Sequence, residues 1–486
     1  MKCMSQVRAF GLILAAIGIA IPCSRIATAQ NGTDATDKLI FQEIREHNEL
    51  MKNLEYLSDD IGPRLTGSDQ LQRSVDWASG LARRYGLQSV HVEPWKLAHS
   101  WQRGSAQGRI LKPVSRSLTI AAAGWSPGTT GSVHGNIVHV HAKNVKELEA
   151  YRGKLSGSIV ILQEPFDLTW QASPPPESPV PPIQIPEPPP DRMKISDEAQ
   201  FNAVRAKFFK DQGVAAALRD SDKSHALLTM VNAGDQYDPA PIPTAMLTHE
   251  GYSLIWRLLQ QGPVEVELSL SNSFSREPVN AYNTVAELRG SEKPDEVVII
   301  CAHLDSWDLG TGTTDDGTGV VAVLEAMRAI KALGLQPKRT IRMVLFSGEE
   351  QGQVGSRNYV KQHESELVNI SAVLADDSGA GRLSTIRLNQ NFAAHKLVDL
   401  ILAPMGELNL VEPGMDRYYG SDYASFNEVG VPGFATSGTQ PDYYRTHHSE
   451  ADTFEKVRED GVIQAAQVLA GWAYNTAQLP ELLPRD

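Results

Sequence analysis

The chain has 486 residues, a formal net charge of −13 and an ordinary globular composition, 41% hydrophobic and 21% charged. That length exceeds one ordinary domain and suits two or three. The acidic balance excludes a nucleic-acid binder, which needs a basic face, and gives no attraction to an anionic membrane.

Residues 1–29 read as an export signal. Lys2 and Arg8 make a basic start, "AFGLILAAIGIAI" is an apolar core too short to span a bilayer, and Ala27–Ala29 is a small-residue cleavage site before Gln30. A lipoprotein anchor on Cys23 is the competing reading, disfavoured by Pro22 where a small residue belongs. The mature protein is therefore expected to be periplasmic or secreted, with no membrane attachment after signal cleavage. Of the three cysteines only Cys301 then remains, so no internal disulfide is available. Its apolar strand context predicts a buried, inert thiol.

Residues 30–119 are expected to form an N-terminal, mainly helical part of the catalytic domain. Apolar residues recur at three- and four-residue steps from Asp37 to Tyr85, broken by the turn "GPRLTGS", and "SVHVEPWKLAHSW" alternates like a strand. Residues 120–272 change texture and are expected to form an insert. "GSVHGNIVHV", "GSIVIL" and "VEVELSLS" read as strands and "AQFNAVRAKFFKDQG" as a helix. Within it, the proline-rich stretch 172–190 predicts an exposed polyproline-like loop.

Residues 273–486 alternate strands and helices. "EVVIICAH", "RTIRMVLFS", "SAVLAD" and "VPGFAT" read as strands; "GVVAVLEAMRAIKALG", "QVGSRNYVKQH", "AAHKLVDLILAPMG" and residues 460–477 read as helices. This pattern predicts an α/β fold, a mostly parallel sheet with helices on both faces. In such sheets ligands bind beyond the carboxyl ends of the strands.

Those ends carry a short set of residues. His303, Asp305, Asp315 and Asp316 follow the first strand, Glu349 and Glu350 the second, Asp376 and Asp377 the third. His447, His448 and Asp452 follow the last. Singly, each is an ordinary loop feature: a hydrogen-bonded histidine, acids favouring a helix N-terminus, or a turn. Together they are a crowd of carboxylates that must neutralise or find a cation. Imidazoles with carboxylates suit zinc, there are too many donors for one tetrahedral ion, and an even split needs a bridging carboxylate. Calcium would leave the histidines unused. No Gly-Lys-Ser/Thr follows the glycines, which excludes a phosphate loop, and no G-x-S-x-G elbow supports the competing serine hydrolase.

The ordered pattern H-x-D, D-D-G-x-G, G-E-E, a later Asp and H-S-x-x-D-T resembles the two-zinc exopeptidases, the family of bacterial leucyl aminopeptidases and plasma glutamate carboxypeptidase. "IGPRLTGS" and "GLQSVHVEPW" resemble the carboxypeptidase Q branch in particular, and residues 120–272 resemble the protease-associated insert of such enzymes, the proline-rich loop lying outside that pattern. The resemblance implies two zinc ions per chain: one on His303 and Asp377, the other on Glu350 and His448, with Asp315 bridging. It implies Glu349 as general base, Asp305 as the carboxylate orienting His303, and a cis Asp315–Asp316 peptide. His447 stands where the aminopeptidases carry Tyr, and so becomes the candidate oxyanion donor.

The expected activity is hydrolysis of terminal peptide bonds in short peptides or dipeptides. A broad aminopeptidase is the alternative, and a zinc-binding receptor without catalysis is a third reading. The sequence leaves open which terminus is released and whether the chain pairs as a homodimer. "GMDRYYGSDYASF", with Arg417 and Asp422, is a candidate wall of the substrate pocket.

Overall fold

The computed structural model describes residues 23–168, 192–234, 238–417, 420–439 and 442–485. Residues 1–22 of the export signal and the whole proline-rich stretch 172–190 lie outside them. Among the described residues no helix is long and apolar enough to cross a membrane.

A seven-stranded sheet organises the chain. Its order is Gln88–Leu97, Val279–Leu288, Arg339–Phe346, Lys293–His303, Ile370–Ala375, Gly433–Thr439 and Arg382–Arg387. The four strands from Arg339–Phe346 to Gly433–Thr439 pair in parallel, and the flanking strands run antiparallel. The run "VVIICA" shows why this strand is central. Val298, Ile300 and Ala302 point into one apolar cluster with the helices Thr318–Ala332 and Glu459–Gln478, while Val297, Ile299 and Cys301 point into another. With both faces covered, a strand has no polar side to alternate. Cys301 is free and fully buried.

Register then decides where the chemistry sits. His303 pairs with Phe346, Cys301 with Ala375, and Ala375 with Ala435. The parallel strands therefore end level, and the residues just beyond three of them come out on one edge. The edge strand Arg382–Arg387 was not read from sequence, because its polar "RLSTIR" lacks an apolar run.

A second sheet of eight strands is built from residues lying between the first two strands of the large sheet. It begins with Ala106–Lys112 and Arg116–Leu118, upstream of Ile120, and closes with Glu265–Leu270. Its own core, with Trp101, Trp125 and Ile159, continues into Trp95, Trp307 and Val354 of the first unit. The two sheets thus share apolar packing next to the strand ends.

Candidate metal centre

His303 closes its strand and donates its backbone N–H to Asp316 Oδ2 at 3.1 Å. The following loop is held from outside by Arg64 of "IGPRLTGS". This guanidinium is fully buried and donates to the carbonyls of Leu304, Thr311 and Gly312 at 2.7, 2.9 and 2.7 Å, while the backbones of Arg64 and Ser306 also bond. Gly312 sits at φ 62°, and a Cβ there would strike the Ser306 side chain. Asp452 receives the other side of the turn: its carboxylate accepts from the Thr314 N–H at 2.6 Å and the Asp315 N–H at 3.2 Å. The Asp315–Asp316 peptide is cis, as expected. Asp316 then accepts from the Gly319 N–H at 3.1 Å and opens the helix Thr318–Ala332. A side chain at position 319 would collide with that carboxylate and with the Asp376 carbonyl.

Around this loop the expected residues converge. His303 Nε2 lies 3.2 Å from Asp315 Oδ1 and 3.7 Å from Asp377 Oδ1. His448 Nε2 lies 2.9 Å from Glu350 Oε2 and 3.5 Å from Asp315 Oδ2. Asp315 therefore faces both histidines. Of the two adjacent aspartates, Asp376 is engaged by the hydroxyls of Ser378 and Thr436 at 2.8 and 2.6 Å, and Asp377 is the one that reaches His303. Of the two adjacent histidines, His447 stacks on His448 at 3.8 Å and stands 3.8 Å from Asp315 Oδ2.

Asp305 differs from expectation in one respect. His303 Nδ1 meets the Asp305 backbone carbonyl at 3.0 Å, while the carboxylate is 3.8 Å away, beyond hydrogen-bond reach. The carboxylate instead accepts from Thr66 Oγ1 at 2.8 Å and from the amides of Glu349 and Glu350 at 3.3 and 3.4 Å. Asp305 thus holds His303 through its main-chain carbonyl and the "GEE" turn through its carboxylate.

The electrostatics show an uncompensated cluster. Burial pushes Glu349 and Glu350 well above the usual carboxylate range. Burial also opposes charge on Asp315, but the hydrogen bond from His303 and the two further imidazoles hold it below its ordinary value. His303 is held high by Asp377 and Asp315 against its burial. Asp315 Oδ2 and Glu350 Oε1 are buried without a hydrogen-bond partner. Orphaned carboxylate oxygens beside imidazole nitrogens fit a cation. The donor atoms fall into two groups of metal-binding size, His303–Asp315–Asp377 and Asp315–His447–His448, which share Asp315. The mixed N/O chemistry fits zinc.

Sequence reasoning missed three supports. Arg64 carries no sequence signature of its role, since its partners are main-chain carbonyls. Asp308 had none either; it forms a two-pronged ion pair with Arg103 at 2.7 and 2.8 Å, and Arg103 also covers the Trp101 ring. The third support comes from the second sheet, where the Met230 N–H donates to the His448 carbonyl at 2.8 Å and Thr229 bridges to Ser449. Asp422 is buried and pushed up to about 7 by that burial, and Arg417 borders residues 418–419, outside the described residues.

The model of peptidase family M28 matches residues 283–473. The chain is 30% identical to carboxypeptidase Q of Bos taurus over 446 residues, 91% of this chain and 88% of that protein. It is 29% identical to carboxypeptidase Q of Homo sapiens, covering 96% of each. Among solved structures, the peptidase M28 precursor of Shewanella amazonensis superposes with a TM-score of 0.76 at 28% identity, over 94% of this chain and 99% of that one. A zinc aminopeptidase of Bacillus subtilis shares the fold at 18% identity with a TM-score of 0.63, over 88% of this chain and 93% of that one.

Proposed function

For this chain, which belongs to peptidase family M28 and is a zinc-dependent exopeptidase of carboxypeptidase Q type, we propose an exported enzyme that cleaves dipeptides and other short peptides with two zinc ions per chain. The observation that carries this reading is the pair of donor groups sharing Asp315, with buried carboxylate oxygens left unpartnered. In it His303 and Asp377 would hold one ion and Glu350 and His448 the other, with Asp315 facing both. His448 suits the ligand role better than His447 because it is closer to both Glu350 and Asp315.

Zinc bound there would lower the pKa of water, polarise the scissile carbonyl and keep neighbouring carboxylates ionised. The chain's own residues do the rest. Glu349, given no ion to hold in this reading, takes the proton of the attacking water and returns it to the leaving amine. The Gln353 amide holds Glu349 Oε1 at 3.2 Å, which orients the carboxylate. Burial and the adjacent imidazole push His447 down to about 4, so it is neutral at physiological pH. A neutral ring still has one N–H to donate, here to the oxyanion of the tetrahedral intermediate. Asp305 and Arg64 position rather than react.

The second sheet reads as a protease-associated insert that roofs the centre and restricts access to short chains. Its hold on the 448–449 backbone supports that reading. The test is mass-spectrometric cleavage of a mixed peptide library that includes N-blocked and C-amidated members. Release of single terminal residues from short, free peptides is expected. Internal cleavage of long peptides, or stoichiometric zinc with no cleavage of any peptide, would refute it.

A further inference from the structure

The second sheet holds a cavity of its own, which shares no lining residue with the metal centre. Its strands Ile159–Ile161, Ala216–Asp220 and Thr244–Leu247 run parallel, and the helix Arg192–Asp211 packs on one face through Phe208 and Phe209. Between helix and sheet lies a cavity of about 280 Å³. Leu162, Phe209 and Ile242 are among its apolar walls, and Arg219, Arg205 and Asp238 bring charge to it. Leu162 directly follows the strand Ile159–Ile161, and Arg219 is next to last in its own strand. The cavity therefore lies towards the carboxyl ends of parallel strands, where open α/β sheets bind ligands. We propose that it binds a free amino acid with an aliphatic side chain: the carboxylate on Arg219, the side chain against the apolar walls and the ammonium facing Asp238. Nothing in this site depends on the metal centre, so it stands apart from the activity proposed above.

Three observations carry it. First, Arg219 has no anion. It faces the cavity with Ala217, whereas Asp220, the next residue, turns to the other face and meets His249 at 3.0 Å. Among the described residues Arg219 forms no ion pair, and its hydrogen bond runs from Nη1 to the Asn232 carbonyl at 2.9 Å. Burial pushes the guanidinium below its ordinary value, with no acid opposing the shift. By contrast, Arg339 and Arg342 of the large sheet are matched by Glu296 and Glu287 at 2.6 and 2.8 Å. A guanidinium presents five donors in a fork that fits a carboxylate, and one carbonyl leaves most of that fork for a ligand. Second, the other cation of the lining is engaged. Arg205 donates to Asn202 Oδ1 at 2.8 Å and lies over the Phe201 ring. One open fork suits one carboxylate rather than a phosphate, and the Asp238 carboxylate in the same lining disfavours a dianion further. Third, the shape fits. The volume falls just short of the ~300–1,000 Å³ of pockets for drug-sized ligands, and its walls are largely apolar, as a small molecule with an aliphatic body requires.

The experiment is calorimetric titration of the zinc-loaded full chain with three probes: L-leucine, leucinamide, which lacks the carboxylate, and 4-methylpentanoate, which lacks the ammonium. Two variants accompany wild type. Arg219→Met removes the fork, and Ala206→Leu fills the cavity from the helix while leaving Arg219 in place. Wild type should bind leucine at a site that both variants lose, the Kd rising ~10-fold or more in Arg219→Met, the scale of a charge-assisted hydrogen bond. Leucinamide should bind that site at least ~10-fold more weakly than leucine, and 4-methylpentanoate should also bind it more weakly. Thermal unfolding near the wild-type temperature shows that a variant is folded, and Ala206→Leu decides the matter if Arg219→Met is not. Leucine held at the metal centre alone would titrate identically in wild type and both variants, and that result overturns the proposal. So does leucinamide or 4-methylpentanoate binding as tightly as leucine, or a wild type that binds no leucine.

Discussion

Replacing Arg64 with Met tests whether the metal centre is built by a loop that cannot hold itself. The loop 304–317 is mostly Gly, Ser, Thr and Asp, with Leu304 and Trp307 as its apolar anchors, and Arg64 satisfies three of its carbonyls at 2.7–2.9 Å. Hydrogen bonds to a charged group are worth ~1.5–3 kcal/mol each, so three amount to at least ~4 kcal/mol. Relief of burying the guanidinium, whose pKa is itself pushed down to about 10 by burial, offsets part of this. Met leaves the Leu304 and Thr311 carbonyls without a partner, the Gly312 carbonyl keeping the Gly317 N–H at 3.1 Å, and the net loss is ~3–5 kcal/mol. Urea denaturation of apoprotein reads that loss as a fall in midpoint. Zinc titration reads the second consequence: His303 and Asp315 lie at the two ends of the loop, and supports of this kind are worth ~10–100-fold in metal affinity. Arg73→Met, at an exposed helical site, serves as the control and should change stability by no more than ~0.5 kcal/mol. A loss below ~1 kcal/mol for Arg64→Met with unchanged zinc affinity would refute the reasoning.

Two further outcomes follow from the same geometry. Asp377→Ala should lower bound zinc from two ions to one, while Asp315→Ala should empty both positions; elemental analysis after dialysis distinguishes the two, and equal stoichiometries in both variants would contradict a bridging Asp315. A separate test concerns Glu93, whose carboxylate is held at 3.0 Å by both His91 and His363. Burial opposes charge on each partner, yet the pairing holds Glu93 below its ordinary 4.5 and His363 above its ordinary 6.5. A lowered acid contributes stability above its unfolded value and loses it as pH falls. A raised base contributes below its unfolded value and loses it as pH rises through its folded value. His363→Gln should therefore destabilise most between pH ~4.5 and ~6.5, by about 1–2 kcal/mol, with a smaller effect at pH 9. A pH-independent difference in denaturation midpoints would count against the ion pair.

The site was legible in the sequence to the extent that its chemistry lies next to strand ends. His303, Glu349, Glu350 and Asp377 each follow an apolar run whose composition declares a central strand, and the parallel register brings those ends level. The choice of Asp377 over Asp376 needed the structure to explain it, because only the Ser378 and Thr436 hydroxyls show that Asp376 is already engaged. What stayed illegible depends on contacts between distant positions. Arg64 acts on main-chain carbonyls, which leave no residue-type signature. Arg103 and Asp308 are 205 positions apart, and nothing local marks either as a partner. The edge strand Arg382–Arg387 escaped for the complementary reason: one face meets solvent, so its apolar content is low.

The most direct test of the account is the zinc content and dipeptide turnover of Glu349→Gln. If Glu349 moves the proton and holds no metal, the variant keeps two zinc ions per chain and loses ~10²–10⁴ in kcat. Hydrolysis at the wild-type rate, or loss of zinc along with the activity, would contradict it.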